Sequence, residues 1–147
     1  MPVVKAGRPT LFDLFDDVTL AGNLQEAATT IDLNQAAATY VLFTATTQDV
    51  AVEKLVIRMP ANAVGGAVTS IAIQTDDTTA QVFISAADGV VANLTAEAQL
   101  AWTGMILLDA GTSATIGLTI AGGAAGVARV CDVVAEYRAV VNGGYLA

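Results

Sequence analysis

The chain has 147 residues, 54% of them hydrophobic and 14% charged, with a formal net charge of −8. That length suits one domain, and the six basic residues, Lys5, Arg8, Lys54, Arg58, Arg129 and Arg138, are too dispersed to form the cationic surface that nucleic acid or an anionic membrane requires. Counted with glycine, about three-fifths of the residues are apolar, against about 45–50% in an average protein, so burial against other subunits is expected.

Residues 1–26 hold two of the three prolines and the run Leu11-Phe12-Asp13-Leu14-Phe15, whose apolar positions come in pairs rather than alternating. This stretch is expected to be an N-terminal arm or extension, with one β-sandwich domain over 27–147. One reading docks the arm on a neighbouring subunit, with Leu11, Phe12, Leu14 and Phe15 as the partner-contact residues; the other folds it back on its own core. The start lacks the long apolar region of a secretory signal, and no run approaches the ~18 apolar residues of a membrane span. Synthesis and folding in a cytoplasm are expected.

From residue 29 onward, β-branched and aromatic runs are punctuated by Gly, Asn, Asp and Pro, which predicts strands over 29–33, 39–46, 50–59, 67–75, 79–85, 104–108, 114–120 and 127–140. Alternation assigns faces. Ile71 and Ile73 alternate with Ser70, Ala72 and Gln74; Ile116, Leu118 and Ile120 alternate with Thr115, Gly117 and Thr119. In the last strand Cys131, Val133, Ala135 and Tyr137 are expected inside, with Asp132, Glu136 and Arg138 outside. Asp76-Asp77 sits between two strand-like runs, where aspartate side chains bond nearby backbone, and predicts a hairpin turn. The run from Ala121 to Gly126 predicts a second hairpin, its glycines supplying positive φ. Helical spacing of Leu94, Glu97, Ala98 and Leu100 predicts about two turns of helix over 93–101.

Catalytic chemistry is sparse. No histidine is present, which removes Ser-His-Asp and Cys-His arrangements and histidine zinc sites. Ser70, Ser85 and Ser113 lie in or beside strands with no Ser-x-x-Lys frame, and Gly122-Gly123-x-x-Gly126 leads into strand alternation rather than the helix a phosphate loop needs. Asp76-Asp77 and Asp13, Asp16 and Asp17 carry oxygens suited to a hard cation, but without a recognised loop spacing they read as turn and solvated face. Cys131 reads as a small buried hydrophobe, and Trp102 as a core or interface plug. No catalytic, cofactor or metal site is expected, and a carboxylate hydrolase is the one enzymatic reading left.

The stretch Ala114-Thr115-Ile116-Gly117-Leu118-Thr119-Ile120-Ala121-Gly122-Gly123, then Gly126-Val127 and a closing strand through Val133, Glu136 and Tyr137, resembles the last hairpin of β-sandwich virion proteins of tailed phages. That group includes capsid decoration or cement proteins and head-fibre or spike modules. The likeness runs loosely over residues 50–140. It implies a jelly-roll-like fold; joined to the strand pattern, the arm and the short helix read from the residues, the expectation is an all-β, jelly-roll-like antiparallel β-sandwich with an N-terminal arm and one short helix, the N-terminal region lying outside the likeness. It also implies a homotrimer on the outer capsid surface that bridges subunits of the major capsid protein, made in the host cytoplasm, with no active site to carry over. The alternative within the same resemblance is a head-fibre or tail-spike host-recognition module that binds surface glycans.

Overall fold

The computed structural model describes residues 22–111 and 114–147. Among these, nine strands form: β1 (Leu24–Asp32), β2 (Thr39–Thr46), β3 (Val50–Arg58), β4 (Ser70–Thr75), β5 (Val82–Ile84), β6 (Gln99–Leu108), β7 (Thr115–Ala121), β8 (Val130–Ala139) and β9 (Tyr145–Leu146). They build a four-stranded sheet in the order β1-β8-β3-β6 and a five-stranded sheet in the order β5-β4-β7-β2-β9. Four antiparallel partnerships nest along the chain, β1 with β8, β2 with β7, β3 with β6 and β4 with β5. A long hairpin of four strands against four, rolled so that alternate pairs fall in opposite sheets, is a jelly roll. The expected fold class stands.

Period-two alternation decides what lies between the sheets. Cys131, Val133, Ala135, Tyr137 and Ala139 of β8 are all buried, as are Ile71, Ile73 and Thr75 of β4 and Ile116, Leu118 and Ile120 of β7. Thr75 is the one buried polar residue among those described, and its hydroxyl is satisfied, donating to Asp77 Oδ2 at 2.6 Å and accepting from the Gln81 N–H at 2.9 Å. Two strands change phase. In β3, Val52 opposes Tyr137 and Lys54 opposes Glu136, so Glu53 is an extra residue. Val50 and Val52 before this bulge, and Leu55 and Ile57 after it, therefore all point inward at 0% exposure. In β2 the register shifts between Val41 and Phe43, and Leu42, Phe43 and Ala45 are all buried.

Three sequence expectations are corrected. The short helix is absent: a 3₁₀ turn, Val91–Asn93, precedes β6, which begins at Gln99 rather than 104. Leu100 faces Ile57 and Trp102 faces Leu55 across the ladder, so pairing with β3 overrides the local helical preference. Glu97, counted as a helix former, sits at φ 57° with its N–H on the Pro60 carbonyl. The glycine run after β7 is no hairpin, because β7 and β8 belong to different sheets and the run crosses the edge of the sandwich. Gly122 at φ 88° and Gly126 at φ 85° still supply the expected left-handed backbone. The first strand begins at Leu24, five residues before its expected start at 29, and pairs with β8 along its whole length. The hairpin at Asp76-Asp77 is present, joining β4 to β5.

Candidate interaction faces

With the apolar side chains turned inward, each sheet presents its other face outward, and the two outer faces differ in chemistry. On the four-stranded sheet the outward positions fall in rows. Thr30, Asp132, Arg58 and Gln99 make one row; Ala28, Val134, Val56 and Ala101 the next; Glu26, Glu136, Lys54 and Thr103 a third; Leu24, Arg138, Ala51 and Leu107 a fourth. An apolar band thus runs across all four strands between two rows that carry charge. Glu53, displaced by the bulge, accepts from Arg138 Nε at 2.7 Å, and Arg138 Nη1 donates to the Gly22 carbonyl at 2.6 Å. At the end of the third strand Arg58 and Glu97 pair at 2.6 Å, with side chains 47% and 63% exposed. Such exposed pairs are worth a fraction of ~1 kcal/mol and set surface chemistry more than stability.

The five-stranded sheet presents no charge on its outer face. The outward positions of β4 are Ser70, Ala72 and Gln74; those of β7 are Thr115, Gly117, Thr119 and Ala121. From β2 come Thr39, Val41, Thr44 and Thr46, from β5 Val82 and from β9 Tyr145. Hydroxyls and small apolar groups fill the middle, where Thr39 and Thr119 share a hydrogen bond at 2.7 Å. The most exposed apolar side chains stand toward its two sides: Val82 at 46% on β5, and Val41 at 62% with Tyr145 at 37% on β2 and β9.

The sequence candidates for chemistry separate in space. Asp76 accepts from the Thr115 N–H at 3.1 Å, and Asp77 accepts from Thr75, so both carboxylates hold local structure. Ser85 donates to Asp88 at 2.7 Å, and Ser70 lies on the uncharged face. Among the described residues no three His, Cys, Asp or Glu side chains converge to hold a metal ion. Cys131 is fully buried, and desolvation, aided by the charges of Asp132 and Asp32, pushes its pKa up to about 12, which leaves the thiol inert at neutral pH. Trp102 is a half-buried plug at the edge of the sandwich, edge-on to Phe83 with centroids 4.8 Å apart. Leu11, Phe12, Leu14 and Phe15 lie outside the described residues, as do Asp13, Asp16, Asp17 and Ser113. Sequence reading assigned Ser70, Ala72, Gln74, Thr115, Gly117 and Thr119 outward but did not join them, because the pairing of β4 with β7 is a long-range fact.

The fold is therefore a jelly-roll β-sandwich of the kind found in phage capsids. Three chains of solved capsids superpose on it. A chain from the acid-stable capsid structure of Helicobacter pylori bacteriophage KHP30 gives a TM-score of 0.58 at 13% identity, covering 87% of this chain and 95% of that one. One from the cyanophage Pam1 capsid asymmetric unit gives 0.54 at 15% identity, over 95% and 99%. One from the capsid of Ralstonia phage GP4 gives 0.52 at 14% identity, over 81% and 86%. At these identities the likeness establishes the shared fold. No family model and no curated protein matches the sequence.

Proposed function

We propose that the chain is a non-enzymatic structural component of a phage virion, a capsid decoration (cement) subunit. It acts as a homotrimer on the outer surface of the shell and bridges neighbouring subunits of the major capsid protein. The observation that carries this reading is an outer sheet face without charge on a fold shared with phage-capsid chains. Charge is depleted at the buried centre of protein interfaces, because an ion that loses its water needs a partner to replace it.

The mechanism is additive burial. Interfaces of ordinary size remove about 1,200–2,000 Å² from water, and many copies attached at once raise the effective concentration of each remaining contact. Separation of capsid subunits, the first step of rupture, then requires several such contacts to break together. The side chains of Leu11, Phe12, Leu14 and Phe15 add apolar contact to a neighbouring subunit. The test is to heat shells with and without the protein side by side while following release of packaged DNA. Decorated shells rupture at the higher temperature; equal rupture temperatures remove the reading.

A further inference from the structure

We infer that the uncharged outer face of the five-stranded sheet is the surface through which copies of this chain bind each other. The inference rests on the decoration reading above and assigns its self-contact to one face.

Three observations choose a second copy as the occupant. The first is charge. Each copy carries −8, and two unit charges of like sign about 4 Å apart repel by about 1 kcal/mol in water and about 4 kcal/mol near a protein surface. The outer face of the four-stranded sheet carries Glu26, Glu53, Asp132 and Glu136 beside Lys54, Arg58 and Arg138, so a second copy laid on it strips water from all seven and leaves an acid without a base. The face built on β4, β7 and β2 brings no carboxylate. Second, a mixed charged surface crossed by an apolar band, as on the four-stranded sheet, suits a partner with a different, complementary pattern; a neutral face leaves no charge unpaired where the Val82 side of one copy meets the Val41 and Tyr145 side of the next, the heterologous contact that a closed trimer needs. The third is size. The 26 residues of the five strands, at about 3.4 Å rise and about 4.8 Å spacing, cover about 420 Å² in flat projection, about half the ~800 Å² per partner of a stable interface, and side-chain relief with the loops that flank the sheet supplies the rest. Val82 at one side and Val41 and Tyr145 at the other, 37–62% exposed, are the apolar groups that contact would cover.

Sedimentation from micromolar to millimolar concentration tests this. The double variant Val41→Asp with Gln74→Glu puts two carboxylates on outward positions of the face, and Ala101→Glu puts one on the opposite sheet as control. Wild type and Ala101→Glu assemble; the double variant is weakened at least tenfold and runs as a monomer with an unchanged far-UV spectrum. A monomeric wild type, a double variant that assembles normally, or dissociation by Ala101→Glu instead overturns the inference. A second measurement needs no substitution: on dilution of wild type, radical footprinting shows Tyr145 gaining reactivity while Met105, on the other sheet, does not, and the reverse pattern also overturns it. Co-pelleting with shells separates this inference from the reading beneath it. A double variant that stays assembled but no longer pellets with shells moves the face to the shell contact and leaves decoration standing. Wild type that never pellets removes decoration, whatever the assembly state.

Discussion

Raising the pH destabilises the protein through Cys131, and the size of the effect follows from where the thiol sits. It lies between the sheets at 0% exposure, 3.7 Å from Met59 Sδ. Burial there, with Asp132 and Asp32 nearby, raises its pKa from 9.0 to about 12. The unfolded chain loses the proton first, so the thiol's contribution is fully present below about pH 9 and is lost as pH rises toward the folded value, at about 1.4 kcal/mol per pH unit. At about pH 10.5 wild type has lost about 2 kcal/mol that a Cys131→Ala variant has not. The variant itself starts about 1 kcal/mol less stable, from the small cavity it leaves. Urea unfolding midpoints followed from pH 8 upward therefore cross, with wild type more stable at neutral pH and Cys131→Ala more stable in alkali. What the two proteins share cancels in the difference. Parallel curves refute the assignment of the thiol to the dry core.

Three further outcomes follow from the same geometry. Leu118→Ala empties a 0% exposed site on β7, between β4 and β2, and costs about 3–5 kcal/mol, read as a fall in urea midpoint. Asp32→Ala removes the acceptor for the N–H groups of Arg129 and Asn34, at 2.8 and 2.9 Å, which tie the loop after β1 to the approach to β8; the loss is about 1–3 kcal/mol. Those N–H groups hold the Asp32 carboxyl below its ordinary 3.8, so its stabilisation is present above about pH 4 and fades as pH falls through the lowered value, where variant and wild type converge. Leu107→Lys, at a 63% exposed position on the edge strand β6, leaves the melting temperature almost unchanged and slows aggregation on heating, measured by light scattering. β6 runs for ten residues with no charge and no proline to discourage pairing with another chain.

What sequence reading reached depended on how local the signal was. The alternation in β4, β7 and β8 needs only neighbours two apart, and it placed Ile73, Leu118 and Cys131 inside and Asp132 and Glu136 outside. The bulge at Glu53 was illegible, because an extra residue is defined only against Tyr137 and Glu136, more than eighty positions away in the chain. Without it the inward Val50 and Val52 and the later inward Leu55 and Ile57 contradict alternation. The helix over 93–101 failed for the same reason: Leu94, Glu97, Ala98 and Leu100 have helical spacing, Leu100 and Trp102 have strand spacing, and only the presence of β3 decides. β9, two residues long, owes its existence to the open side of β2 rather than to its own sequence.

The uncharged face follows from that long-range geometry and not from a shortage of charge. On the opposite sheet Glu26 stands directly across from Glu136, a like-charge pair that costs up to about 1 kcal/mol, relieved in part by Lys54 on the far side of Glu136. Glu53, Arg58, Asp132 and Arg138 crowd the same surface. Stability alone would spread these charges over both faces, lowering repulsion and improving solubility on each. Their concentration on one sheet, at an electrostatic cost, while Thr39, Thr44, Thr115 and Thr119 occupy the other, is the pattern expected when one face must remain in water and the other must leave it. The jelly roll makes the separation possible because strands alternate between sheets along the chain. A charge moved from β3 to β4 changes faces without changing the core, so the two surfaces are free to differ.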